Sequence, residues 1–127
     1  MITLAEEDYL KAIWAISLNT NEKASTNAIA DEISTSAASV SDMLRKLQEK
    51  ELIKYEKYKG VELSEKGNKL ATSIIRKHRL WEAFLVNKLD FNWGEVHDVA
   101  EQLEHIKSVE LVDKLDSFLG FPKFDPH

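Results

Sequence analysis

Histidines and carboxylates recur at helical spacing in the latter part of this 127-residue chain. His97, Glu101, Glu104 and His105 fall at about 0°, 40°, 340° and 80° on a helix advancing about 100° per residue, so they share one arc. Val96, Val99, Ala100, Leu103 and Ile106 lie nearly opposite, which gives that helix an apolar face and a face of nitrogen and oxygen donors. A second row, Leu70, Ile74, His78, Trp81 and Leu85, carries a histidine within an apolar stripe, with Glu82 one turn after His78. Asp8 adds a carboxylate beside the apolar stripe of the first helix. The chain has no Cys, which excludes thiolate sites, disulfides and a cysteine nucleophile and fits a reducing cytoplasm. Imidazoles and carboxylates without thiols suit a divalent cation of intermediate hardness, such as manganese or ferrous iron, and fit calcium poorly. The alternatives are a solvated His and Glu face and, for His78, a hydrogen-bonded core histidine.

The elements that carry these residues are mostly helices. Both prolines, Pro122 and Pro126, lie in the last six positions, so nothing before Gly120 is proline-broken. Apolar spacing predicts a first helix over 5–18, a second from a Ser25 or Thr26 cap to Ile33, and a third from Ser36 to Lys50. Ile53 to Leu63 alternates loosely and holds Gly60, the pattern of a two-stranded hairpin. Ser64 opens a fourth helix to about Asn87, 90–94 is a connector with Phe91 and Trp93, and two more helices span 95–106 and 108–119.

Charge is unevenly spread. The net charge is −5, yet residues 43–80 hold 11 Lys and Arg against 5 Asp and Glu, while 81–127 hold 4 against 10. A basic middle implies a polyanion partner and an acidic latter part implies cations. Helix, helix-turn-helix, then basic hairpin is the order of a winged helix. Its recognition helix would present Ser36, Ser39, Ser41, Asp42, Arg45 and Lys46 to DNA, and its wing would present Lys57 and Lys59, with Lys54 nearby. No apolar run reaches the ~20 residues of a membrane span, and the first residues lack a secretory signal. A metallohydrolase would use similar ligands, but no cleft is marked in the sequence, and the expectation is a regulator and no enzyme. A metal-independent winged-helix regulator responding to a small organic ligand is the other reading.

Glu7-Asp8-Tyr9-Leu10, the helix-turn-helix from Ile29 to Leu52, Arg76-Lys77-His78-Arg79-Leu80, and Val96-His97-Asp98 through Glu104-His105 together resemble the diphtheria toxin repressor family. That family comprises metal-activated bacterial repressors, among them iron-dependent regulators and the manganese transport regulator. The resemblance implies a mainly α fold: a winged-helix DNA-binding domain over 1–72, a helical metal-binding and dimerisation domain over 73–120, and the start of a linker at 121–127. It implies a cytoplasmic homodimer on operator DNA, with Phe84, Leu85, Leu89, Phe91, Trp93 and Leu111 as candidates for the dimer surface. It also implies two metal sites, one from Asp8, Glu101, Glu104 and His105 that controls DNA binding, and an ancillary one from His78, Glu82 and His97. Iron-responsive members carry Met and Cys where Asp8 and Glu101 stand, so the oxygen ligands here favour Mn2+ over Fe2+. Manganese regulators carry a Glu where this chain has Lys11.

Overall fold

The computed structural model describes residues 2–56 and 58–120. In chain order they form α1 (Leu4–Thr20), α2 (Thr26–Ile33), α3 (Ala37–Glu49), β1 (Ile53–Glu56), β2 (Gly60–Leu63), α4 (Glu65–Leu89), α5 (Trp93–Leu103) and α6 (Val109–Phe118). The chain divides into two compact units, Met1–Thr72 and Ser73–His127.

Helix starts follow side-chain chemistry. Thr3 accepts from the Glu6 amide while Glu6 accepts from the Thr3 amide, a capping box that satisfies two free donors at the start of α1. Ser25, Ser36, Asn92 and Ser108 cap α2, α3, α5 and α6 in the simpler one-bond manner. Ser64 does more: its hydroxyl accepts from the Gly67 amide at 3.0 Å and donates to the Glu51 carbonyl at 2.7 Å, tying the start of α4 to the turn behind α3.

In the first unit Leu10, Ile13, Ile29, Val40, Leu44, Leu47, Leu52 and Val61 are fully buried in one core. Each such side chain contributes about 1.5–3 kcal/mol relative to exposure, so α1, α2, α3 and the hairpin are held together mainly by this cluster. β1 pairs antiparallel with β2, Tyr55 opposite Val61. Val61 also exchanges two backbone bonds with Ala24, of 2.8 and 2.9 Å. That single-residue extension of the sheet has no signal in the sequence. Gly60 makes it possible, with a φ of +94° and space so tight that a Cβ would meet Lys23 Cβ at 3.0 Å.

In the second unit Leu80, Trp81, Ala100, Val112 and Leu115 form a smaller core, with Phe84, Leu103, Ile106 and Leu119 packed on it. Two boundaries differ from expectation here. Trp93 is the first residue of α5 and not part of the connector, because the Asn92 side chain accepts from the Glu95 amide and starts the helix two residues early. The helix ends at Leu103, where Ile106 N–H turns back to the Leu103 carbonyl, so His105 lies beyond it. Leu85 is buried within the structure and not free for a partner, whereas Leu89, Trp93 and Leu111 are exposed. The expected linker at 121–127 lies outside the described residues.

Two tests of this architecture concern the first unit. A Cβ at Gly67 would sit 2.0 Å from the Leu52 carbonyl oxygen, so Gly67→Ala is expected to cost about 3 kcal/mol in urea denaturation. Burial would raise the Glu6 carboxyl, but the Lys50 ammonium 2.7 Å away and the Thr3 bonds outweigh it and hold it below its ordinary value. A depressed carboxyl stabilises the folded form above its unfolded value and loses that contribution as pH falls through the folded one. Stability should therefore drop as pH falls below about 5, and Glu6→Gln should flatten that drop.

Candidate metal centre and nucleic-acid interface

Two buried rows meet in the second unit. On α4 the row of Ile74, His78, Trp81 and Leu85 is buried as its apolar spacing predicts. On α5 Val96 and Ala100, and then Glu104 at its C-cap, follow at intervals of four, all but inaccessible. Glu104 is thus the last member of an apolar row, and its carboxylate sits 2.6 Å from His78 Nδ1. A carboxylate only accepts, so the hydrogen of this contact is assigned to Nδ1, which leaves the His78 Nε2 lone pair available. Two residues past the end of α5, His105 Nε2 lies 3.8 Å from the second Glu104 oxygen.

On its other edge His78 Nε2 lies 3.3 Å from Glu82 Oε2, one turn along α4. His97 packs edge-on against His78 with ring centroids 4.8 Å apart, its Nδ1 3.9 Å from Glu82 and its Nε2 3.3 Å from Glu101. The side chains run Glu101, His97, Glu82, His78, Glu104, His105, carboxylate and imidazole alternating throughout. One donor atom each from His78, Glu82 and His97 lies within 4.8 Å of the others. An ion with bonds of roughly 2.1–2.2 Å holds donors up to about 4.4 Å apart, so small side-chain rotations close the difference. The nitrogen and oxygen donors, with the outer nitrogen of His78 fixed by a carboxylate, fit a divalent transition metal.

The arrangement corrects one inference from the helical wheel. His97 and Glu101 are exposed while Glu104 is buried, so the four residues of the predicted donor face do not share one environment. The wheel placed them within one arc, but Glu104 stands at the arc's edge where the buried row continues, and α4 covers it there. Asp8 is exposed on α1 of the first unit.

Two basic residues that the sequence offered only as part of a motif and a basic stretch set the frame of this cluster. Lys77 donates to the Ile106 carbonyl at 3.1 Å, next to His105, and Arg76 pairs with Asp116 of α6 at 2.6 Å. Both lie in the run before His78, where nothing in the sequence named a partner for them. Arg76→Ala leaves the mostly buried Asp116 carboxylate without that partner.

In the first unit α3 is capped by Ser36, whose hydroxyl also bonds the Ser39 hydroxyl at 3.0 Å. Ser36, Ser39, Asp42, Arg45 and Lys46 are exposed, and Ser41 is half-buried. Asp42 and Arg45 pair at 3.1 Å. On the hairpin Lys59 is exposed and 3.5 Å from Glu56, while Lys57 lies outside the described residues.

Comparison with known proteins agrees with this layout. The profile described as the N-terminal DNA-binding domain of iron-dependent repressors matches residues 1–61, and that of their metal-binding and dimerisation domain matches 64–127. The chain belongs to the iron-dependent repressor family. The family resemblance read from the sequence is thereby borne out, and the described residues contain no helix long and apolar enough to cross a membrane. An HTH-type transcriptional regulator MntR of Listeria welshimeri is 31% identical over 127 residues, covering 100% of this chain and 87% of that protein. A "Probable metal transport system membrane protein" of Chlamydia trachomatis is 48% identical over 65 residues, 51% of this chain but 14% of its own length. A solved manganese-dependent transcriptional repressor in complex with manganese has a TM-score of 0.85 at 43% identity, and the manganese regulator SloR 0.81 at 46%. Each match covers 96% of this chain, which spans 56% of the length of those two structures.

Arg76→Ala should destabilise the protein by about 2 kcal/mol in thermal or urea unfolding, because a shielded carboxylate loses its charged partner. A change below about 0.5 kcal/mol would mean that water replaces the guanidinium at no cost.

Proposed function

We propose that this chain is the DNA-binding and metal-sensing portion of a metal-activated transcriptional repressor of metal-homeostasis genes, acting as a cytoplasmic homodimer and not as an enzyme. The observation that carries the reading is the alternating run of three carboxylates and three imidazoles in the unit that follows a winged helix. The domain limits we assign are 1–72 for DNA binding, 73–120 for metal binding and dimerisation, and a linker beginning at 121.

Mn2+ is the proposed cofactor, with Fe2+ as the alternative, since none of the proposed ligands is a sulfur donor and relatives of this chain are described as manganese regulators. Relatives named ScaR are also described with bound Zn2+ and Cd2+, so other divalent ions are expected to occupy the sites in vitro. His78, Glu82 and His97 would hold one ion. Asp8, Glu101, Glu104 and His105 are assigned to the controlling site on donor type and family membership. A bound ion would supply fixed positive charge among carboxylates that repel one another without it.

The residues of this chain then divide the work. Glu104 orients His78 through Nδ1 and presents its second oxygen toward His105, so a proposed ligand of the controlling site touches a proposed ligand of the ancillary one. Asp8 belongs to α1, which packs on the core that carries α3. A ligand set that draws on α1 as well as α5 links the metal to the position of the recognition helix. Coupling of this kind is typically about 1–3 kcal/mol, or roughly 5- to 150-fold in affinity. Ser36, Ser39, Ser41, Asp42, Arg45, Lys46, Lys57 and Lys59 are the proposed DNA contacts, the lysines serving affinity that falls with salt.

Fluorescence anisotropy on duplexes enriched from a random pool tests the reading. Binding with micromolar Mn2+ should weaken at least 10-fold on chelation, and equal affinity without metal would refute metal activation in favour of an independent regulator. Glu104→Ala and His105→Ala should lose the metal response with folding intact by circular dichroism. A normal response in either would remove that residue from the controlling site.

A further inference from the structure

The face of α3 that points away from the core has an acidic centre. Val40, Leu44 and Leu47 are fully buried, and at about 100° per residue the direction opposite to their mean lies within about 20° of Asp42. Ala38, Arg45 and Lys46 flank it and all are exposed. Asp42 accepts from Arg45 Nη2 at 3.1 Å, with the two side chains 69% and 71% exposed.

Neither bulk electrostatics nor stability accounts for an aspartate there. A polyanion repels a carboxylate at the middle of the approaching surface, so Asp42 lowers non-specific affinity. It lies beyond the first turn of α3, where the helix dipole rewards it little, and an exposed pair at i, i+3 contributes only a few tenths of a kcal/mol. In a winged helix the outward face of this helix enters the major groove. There a carboxylate offers acceptors only. Guanine and thymine present acceptors at that edge and repel it, adenine sets its N7 acceptor beside its amino group, and cytosine presents a lone N4 donor. The small Ala38 side chain one turn earlier leaves room for close approach.

We propose that Asp42 determines base choice: its carboxylate accepts from the N4 amino group of a cytosine in the major groove and turns away guanine and thymine at that position. By the same contact it aims the Arg45 guanidinium at a neighbouring acceptor edge. This rests on the reading of the chain as a DNA-binding regulator.

The test is selection from randomised duplexes with the manganese-loaded protein, followed by equilibrium binding on single-base variants. The wild type should restrict one position in each half-site to cytosine, with the other bases bound about 10-fold more weakly. Asp42→Ala should erase the preference at that position alone and raise affinity for unrelated duplex. Asp42→Asn should shift it to adenine, whose N6 and N7 match an amide. If both variants change affinity by one factor for every sequence and keep the wild-type preferences, Asp42 is a surface charge and the proposal fails while DNA binding stands. If the wild type selects no sequence, the proposal fails together with the reading beneath it.

Discussion

A carboxylate with no access to water must be met by a hydrogen-bond donor, and in this protein Glu104 is met by His78. An unpaired buried charge would cost several kcal/mol, so the bond is a condition for packing α5 on α4 as the structure has it. The same bond decides the chemistry of its neighbours. With Nδ1 engaged, the outer nitrogen of His78 faces Glu82, and the ring of His97 is packed against its edge. A requirement of folding has thus produced a histidine of fixed orientation among carboxylates. A ligand set that is ordered before its ion arrives loses less entropy on binding than one gathered from mobile side chains.

Most of this was legible in the sequence, and the part that was not has a physical reason. Residue type and spacing named every member of the alternating run, on two predicted helices, but left a solvated face and a core histidine as alternatives until the two rows were seen to meet. What the wheel could not give was which edge of the donor arc another helix would cover. Glu104 continues the Val96 and Ala100 row by four residues, and that interval was the available signal. The charge of Glu104 concealed it, since carboxylates are rarely placed in cores without a named partner. The end of α5 was misplaced for a related reason: apolar periodicity runs on through Ile106, but the Ile106 amide closes a tight turn on Leu103.

In the first unit the local chemistry was read more directly. Ser25, Ser36 and Ser64 each stand before a helix, and each caps it. The hairpin register follows from alternation about Gly60. Contacts between segments distant in sequence were the illegible ones. Ala24 pairing with Val61, and Ser64 reaching the Glu51 carbonyl, require knowing that two backbones lie side by side. Gly67 is the sharpest case: nothing local asks for glycine at the third position of a helix, and only the Leu52 carbonyl against it explains the residue.

The segregation of charge follows from asking one chain to bind ligands of opposite sign. A cation site needs carboxylates close together, which costs repulsion in the empty protein, and a DNA-binding surface needs the reverse. Imidazoles interleaved among the carboxylates of α4 and α5 reduce the first cost, because they separate one acid from the next along the run. Acidic residues placed near α3 weaken attraction for phosphates along a duplex. Net charge is therefore a poor guide to this protein's partners. An overall value of −5 conceals a basic stretch of +6, and it is the position of the charges along the chain that tells the two surfaces apart.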